Sequence, residues 1–471
     1  MVYNDQSSGD ETIERRIPIP KFQVAIILLI QFSEPITALV IYPFVVQLVL
    51  DTGITGGEAT KVGFFAGLLE SSFFLAESLT VFFFGRLSDI YGRRTILLLG
   101  PLGLTISMLG FGFSKIFWFL LFFRCIQGAS NGTIGVTRTV INEIADPSNI
   151  ADIFSFGPLV WCIASTIAPL IGGLLSNPAA KWPDTFGKIG IFRAHPYLLP
   201  CVVSGSVAFL AFMIAFVGLK ETLPSRPSKR PGSPAETDPL LSHDSQETSS
   251  PRELPPPLRD LLIRPVLISL STYGLLAFCN MAQDALVPLF FATPIPLGGL
   301  GLKPADIGLI LSICGVCNAT VQALFGGWLI RRFGARRVFI TGFCGLAMQF
   351  AMYPLIGFLA RRAGKVDAVV YTALAFQFSC TFVIYLCFAV TNLFLMDAAP
   401  GKTSLASVNG MSQTVGTMMR SIAPSFSSSL FALSAEHQLA GGNFVYITLV
   451  IVSLGAMRCA MLLPRKLNLI K

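Results

Sequence analysis

Twelve long apolar runs divide the chain, at 22–50, 62–84, 95–113, 116–136, 154–176, 196–219, 265–291, 307–330, 338–360, 368–396, 405–433 and 444–463. A helix needs ~20 apolar residues to cross the hydrocarbon of a bilayer, and each run is about that long. No water in that layer can satisfy a peptide group, so a crossing segment is either a helix or a strand of a closed barrel. Barrel strands are short and alternate polar with apolar residues, whereas these runs are long and uniformly apolar. The pattern predicts an all-α membrane protein of twelve transmembrane helices. Composition agrees: 53% of the residues are apolar and 13% are charged, about half the charged share of a soluble domain. That balance excludes a soluble enzyme, a disordered scaffold and a single-span receptor. The first 21 residues are polar and include Glu11, Glu14, Arg15 and Arg16. The run that follows is too long for the apolar core of a signal peptide, so it is expected to stay as the first span.

The net charge of +8 is no nucleic-acid signature, because the basic residues sit in short loops between apolar runs rather than in a polar stripe. With both termini in the cytosol, 22 of the 34 Lys and Arg residues fall on the cytosolic side and 9 on the other. Positive residues accumulate on the cytosolic side, so this orientation is expected. The ten cysteines all lie inside apolar runs. Cys314 and Cys317 form a Cys-x-x-Cys without histidine partners, which reads as small packing residues rather than as a metal site. No metal and no cofactor is expected.

Between the sixth and seventh runs the composition changes. Residues 221–260 are rich in Pro and Ser, and prolines occupy 255–257. Such a segment buries too little apolar surface to fold. The expected organisation is a cytosolic tail (1–21), a six-helix bundle (22–219), a disordered cytosolic linker (220–262) and a second six-helix bundle with a short tail (263–471). Within the linker, Glu236, Leu240 and Leu241 fit the acidic dileucine pattern of a sorting-adaptor signal, which would direct the protein to a vacuolar membrane; the plasma membrane is the alternative. The halves repeat each other. Residues 85–94 read Gly-Arg-Leu-Ser-Asp-Ile-Tyr-Gly-Arg-Arg, and residues 327–336 read Gly-Trp-Leu-Ile-Arg-Arg-Phe-Gly-Ala-Arg. Ile167-Ala168-Pro169 in span five has its counterpart in Ile422-Ala423-Pro424 in span eleven. Two repeated bundles imply a transporter with its site between the halves near the bilayer midplane.

Residues 85–94 match the G-x-x-x-D-x-x-G-R-R/K signature of the major facilitator superfamily at every fixed position, and the chain resembles that superfamily over its whole length. The resemblance implies an alternating-access carrier and gives 85–94 a gating role. Gly85 and Gly92 allow close approach and a tight turn, while Asp89, Arg93 and Arg94 form a charged latch. The alternative is that the arginines only set topology. The second copy has Arg331 where the first has Asp89. In span four, Arg124, Gln127 and Gly128 resemble the family's R-x-x-Q-G element, in which the Arg is associated with proton transfer; the alternative is an Arg tied to backbone carbonyls. Gly128 and Gly132 have the spacing for close helix contact.

Gln31 and Glu34 share a face of span one. Burial and a nearby guanidinium pull a carboxyl's proton affinity in opposite directions, so Glu34 and Arg124 are expected to form a protonatable pair. The alternative is a Glu that only holds the helix at Pro35. Glu70 and Glu77 share a face of span two and are either further proton sites or packing groups. Asp284 lies toward the end of span seven, where an acidic side chain can snorkel. Gln127, Gln413 and Arg420 join Gln31 as expected substrate-path residues, Arg420 meeting an anionic substrate or a carboxylate of the other half. Residues 164–173 resemble the antiporter signature that ends G-P-x-x-G-G, with Ala164 and Ala168 in place of Gly. Ala168, Pro169, Gly172 and Gly173 are expected to make a bendable, tightly packed helix. The start of the chain and residues 409–413 narrow the resemblance to a fungal and plant subgroup of twelve-span drug:proton antiporters and zinc-induced facilitator-like carriers. It implies proton-coupled efflux of a small organic molecule by a monomer in the lipid bilayer. A proton-independent facilitator and a non-transporting sensor with the carrier fold are the rivals.

Overall fold

A computed structural model describes residues 20–144, 150–223, 261–400 and 404–464. All twelve runs are helical. Span one is Lys21–Leu39, continued after a turn by Val45–Asp51. Spans two and three are Val62–Tyr91 and Arg93–Phe113. Span four is split into Phe117–Asn131 and Ile134–Ile144. Spans five to nine are Ile150–Leu175, Leu198–Gly218, Arg264–Ala292, Pro304–Phe333 and Ala335–Ala363. Span ten is Ala368–Ser379 and Thr381–Ala398, span eleven Leu405–Glu436 and span twelve Phe444–Ala460. Among the described residues, eight helices are long and apolar enough to cross a membrane by length and composition. The other four spans are interrupted, shorter or, in span eleven, rich in Ser. Large apolar side chains such as Phe82, Trp118, Val217 and Ile451 point outward, as a lipid-facing surface requires.

The helices of spans two and eight run past the predicted apolar runs to Tyr91 and Phe333. Each ends at a glycine with positive φ, Gly92 at +99° and Gly334 at +82°, a conformation that other residues resist. The next helix starts at once. Arg94 then donates to the carbonyl of Phe216 at 2.6 Å, and Arg336 donates to the carbonyl of Met461. The internal repeat is therefore a repeat of structure, since each hinge is tied to the last span of its own half.

Glycines set how closely helices approach. A Cβ on Gly128 would lie 2.0 Å from the Phe73 carbonyl oxygen, and one on Gly132 would strike Thr80, as their spacing predicts. Between the halves, spans two and eleven touch, and so do spans five and eight. A Cβ on Gly67 would meet the Pro424 carbonyl at 2.8 Å, and one on Gly308 would meet the Pro169 carbonyl at 2.3 Å. Ser425 N donates to Ser71 Oγ at 2.9 Å, and Ser312 Oγ donates to the Thr166 carbonyl at 2.7 Å. All these contacts lie toward the end of the bundle remote from Lys21 and Gly92, the far end. At the other end, here the terminal end, Gly85 has open space beside it, and Ile90, Tyr91 and Trp328 are exposed. Among the described residues, the halves are closed against each other at the far end.

Residues 224–260, including Glu236, Leu240 and Leu241, lie outside the described residues, as do 1–19. The two edges of the expected linker belong to the folded part. Glu221 is bonded to the start of span three, and Leu261 is fully buried.

Candidate functional site

Spans one and five of the first half and seven to ten of the second enclose a cavity of about 130 Å³. Span seven supplies Asn280, Gln283 and Asp284. Asn280 and Asp284 are one helical turn apart, and Asn280 Nδ2 donates to Asp284 Oδ2 at 2.9 Å. Span eight adds Cys314 and Asn318, span nine Gln349 and span ten Tyr385, while Tyr42 and Trp161 face them from the first half. The seam between Thr166 and Ser312 runs beside this cavity, whose lining includes their neighbours Ser165 and Leu311. The volume is room for several waters. Asp284 does not snorkel; it faces this interior space. Sequence reasoning passed over Asn280, Gln349 and Tyr385. The available signal was the polar group at 280, 283 and 284, clustered within about one turn of a mostly apolar helix.

None of the expected substrate-path residues lines this cavity. Gln31 borders a second, much smaller cavity of about 10 Å³, together with Glu34, Asn131 and Thr137, enough for about one water. Gln127 is buried in the first bundle, where it accepts from Arg124 Nη1 at 2.7 Å and contacts Met108 Sδ. Gln413 and Arg420 lie on span eleven, and Arg420 Nε donates to the Gly416 carbonyl of its own helix. The facing of a side chain on a nearly uniform apolar helix was not legible from spacing alone.

The ionisable residues form two groups. Glu34 accepts from Asn131 Nδ2 at 2.7 Å. Glu77, 5% exposed, is close enough to interact with Glu34, and Arg420 and Arg138 act on both carboxyls. Arg124 stands apart. It is 1% exposed, donates Nη2 to the Ala38 carbonyl at 3.3 Å and stacks over the Phe73 ring at 4.7 Å. Glu70 and Tyr42 are its charged and titratable neighbours. The expected pairing of Glu34 with Arg124 is absent here: Asn131 occupies the carboxylate and backbone carbonyl occupies the guanidinium. The structure instead brings Glu34 to Glu77, and Arg124 to Glu70.

At the terminal end, Arg93 is the centre of a charged cluster. Its Nη1 pairs with Asp89 Oδ1 at 2.5 Å, its Nε with Glu143 Oε1 at 3.1 Å, and Nη1 donates to Ser88 Oγ at 2.6 Å. Asp89 pairs within its own segment and is 61% exposed. Glu221, unmarked in the sequence, completes the arrangement. It accepts from Arg93 N at 2.8 Å, Arg94 N at 3.1 Å, Thr222 N at 3.1 Å and Leu223 N at 3.1 Å. A carboxylate at a helix N-terminus meets unpaired N–H groups and the positive end of the dipole. Partial burial acts to raise Glu221, but these four donors outweigh it and hold the carboxyl below its ordinary range. A Cβ on Gly92 would sit 2.5 Å from Glu221 Oε2, so Gly92 serves both the turn and the carboxylate. Gly85 makes no close approach here.

In span five the small residues pack two ways. A Cβ on Gly172 would strike the Val40 carbonyl of span one, and one on Gly173 would meet Pro304 and Gly308 of span eight. Ala168 is fully buried beside Ile36. The helix is unbroken through Pro169, so close packing, within and between halves, is what these residues supply here.

A model of the Major Facilitator Superfamily matches residues 27–424. The chain is 30% identical to the major facilitator-type transporter psiT2 of Psilocybe cyanescens, over 95% of this chain and 91% of that one. It is 27% identical to the major facilitator superfamily multidrug transporter mfsB of Aspergillus fumigatus, over 88% and 79%. It is 26% identical to the protein zinc induced facilitator 1 of Arabidopsis thaliana, over 94% and 91%. A solved bacterial homologue of the human lysosomal transporter Spinster, inward-facing and unoccupied, superposes with a TM-score of 0.69 at 14% identity, covering 94% of this chain and 96% of the other. That last likeness is one of fold. The relatives match the fungal and plant subgroup that the motifs resemble. Twelve helical spans, a repeated hinge and a cavity between the halves agree with the matched family: the chain belongs to the major facilitator superfamily and is a multi-pass membrane transporter rather than an enzyme.

Proposed function

We propose that this transporter is a proton-coupled carrier that expels a small organic molecule by alternating access. The observation that carries the reading is the group formed by Glu34, Asn131 and Glu77 in the first half with Arg420 from the second. Carboxyls inside a membrane are costly and mark proton or ion pathways. Here their charge is balanced by a guanidinium of the opposite half, so taking up a proton weakens an attraction between halves. That links protonation to their relative position, as coupling requires. Arg124 and Glu70 form a second charged group nearer the far end, and their role is to hold spans one, two and four in register. The multidrug transporter among the relatives supports outward transport of organic molecules. The excess of Lys and Arg supports cytosolic termini, in which case the described conformation is closed on the side away from the cytosol. The dileucine pattern supports a vacuolar membrane over the plasma membrane, and a tagged Leu240→Ala, Leu241→Ala variant that stays vacuolar would remove that support.

The test is transport in proteoliposomes under an imposed pH gradient. Glu34→Gln is expected to abolish uphill accumulation while leaving substrate exchange. Uphill transport retained by that variant sinks the assignment of Glu34. Substrate flux with no proton movement in the parent protein favours the facilitator reading instead.

A further inference from the structure

The cavity between the halves is unequally supplied with charge. Its lining contains one carboxylate, Asp284, and no Lys, Arg or His. Asp284 is steadied by Asn280 and takes part in none of the ion pairs among the described residues. A carboxylate at membrane depth with no counter-charge is costly unless something arrives to balance it. A second acceptor lines the same space. Gln349 is 1% exposed, and its Nε2 donates to the Gln377 carbonyl at 3.3 Å and to Thr381 Oγ1 at 2.6 Å. Those two bonds fix which end of the amide is nitrogen. Its Oε1 has no partner. Buried acceptors are rarely left unpaired, so this one calls for a donor. Tyr42, Trp161 and Tyr385 add aromatic rings to the lining, and the faces of such rings attract cations. A proton alone would neutralise Asp284 but would leave Gln349 Oε1 and the rings unused.

We propose that this cavity selects a small organic cation, a protonated amine on an apolar or aromatic body. Asp284 takes its charge, Gln349 Oε1 accepts one of its N–H groups, and the rings cover its body. The assignment rests on the proposed function, a carrier of a small organic molecule, and takes this cavity as its substrate site.

The experiment uses the full chain in lipid nanodiscs at neutral pH and three probes with the same ring: phenethylamine, phenethyl alcohol and phenylacetate. Phenethylamine is expected to bind about tenfold or more tightly than either of the others, the scale of one charge-assisted hydrogen bond. Asp284→Asn is expected to erase that preference, and Asp284→Glu to keep it, which separates loss of charge from loss of fold. Equal binding of the alcohol or the carboxylate, a preference that survives Asp284→Asn, or no binding of any probe by folded protein overturns the cation assignment. The underlying reading is tested separately by filling the cavity with Leu311→Trp. If phenethylamine flux survives that filling, the cavity is not the substrate path, whatever the charge preference shows.

Discussion

Glu221 ties the end of span six to the start of span three, and nothing in the sequence marked it. Its four backbone donors stabilise the charged form, so its folded proton affinity is lowered. Stability from such a group is complete above the unfolded carboxyl value of about 4.3 and is lost as pH falls through the lower folded value. Glu221→Gln is therefore expected to lower the melting temperature at neutral pH, and the gap to the parent is expected to close below about pH 4; melting curves at both pH values check this. Gly92→Ala is expected to cost about 1–3 kcal/mol through its positive φ alone, with the methyl also striking Glu221. A normal melting temperature in that variant would contradict the hinge described here. Glu34 stands out in the sequence because a carboxylate inside an apolar run is costly. Asp284 stands out as a residue, but the cavity it lines does not, because Gln349 and Tyr385, which line the same space, come from other spans.

At the scale of elements, nearly everything was in the sequence. Bilayer thickness fixes the length of each run, and the twelve runs became twelve spans. The sequence missed the breaks, at 40–44 in span one, at Gly132 and Thr133 in span four and at Cys380 in span ten, because packing decides where a helix yields. The contact of spans five and eight depends on Gly173 and Gly308, whose backbones lie too close for a side chain between them. Gly308→Leu is expected to open the far end, at a packing cost of about 1–3 kcal/mol to the described conformation. Spin labels on spans five and eight would then report a longer distance at that end. An unchanged distance distribution would mean that the seam tolerates a side chain and is no gate.

At the scale of the molecule, the six-plus-six arrangement was visible as a 242-residue offset between two motifs. Which half contributes what to the cavity was not, since that depends on helix rotation. Deleting residues 225–255 tests whether the chain transports or signals: a carrier keeps substrate flux, while a sensor that acts through this segment falls silent. The duplication also has a consequence at the two hinges. Both are tied to the last span of their half by an arginine, but among the described residues only the first adds a carboxylate, Glu221, on the N–H groups that follow its glycine. That hinge carries an extra charged fastening at a solvent-facing edge. Dissolved salt weakens a fastening of that kind. A rise in ionic strength on that face would thus loosen one half of a molecule whose halves must rock together, making the solution itself an asymmetric load on the transport cycle.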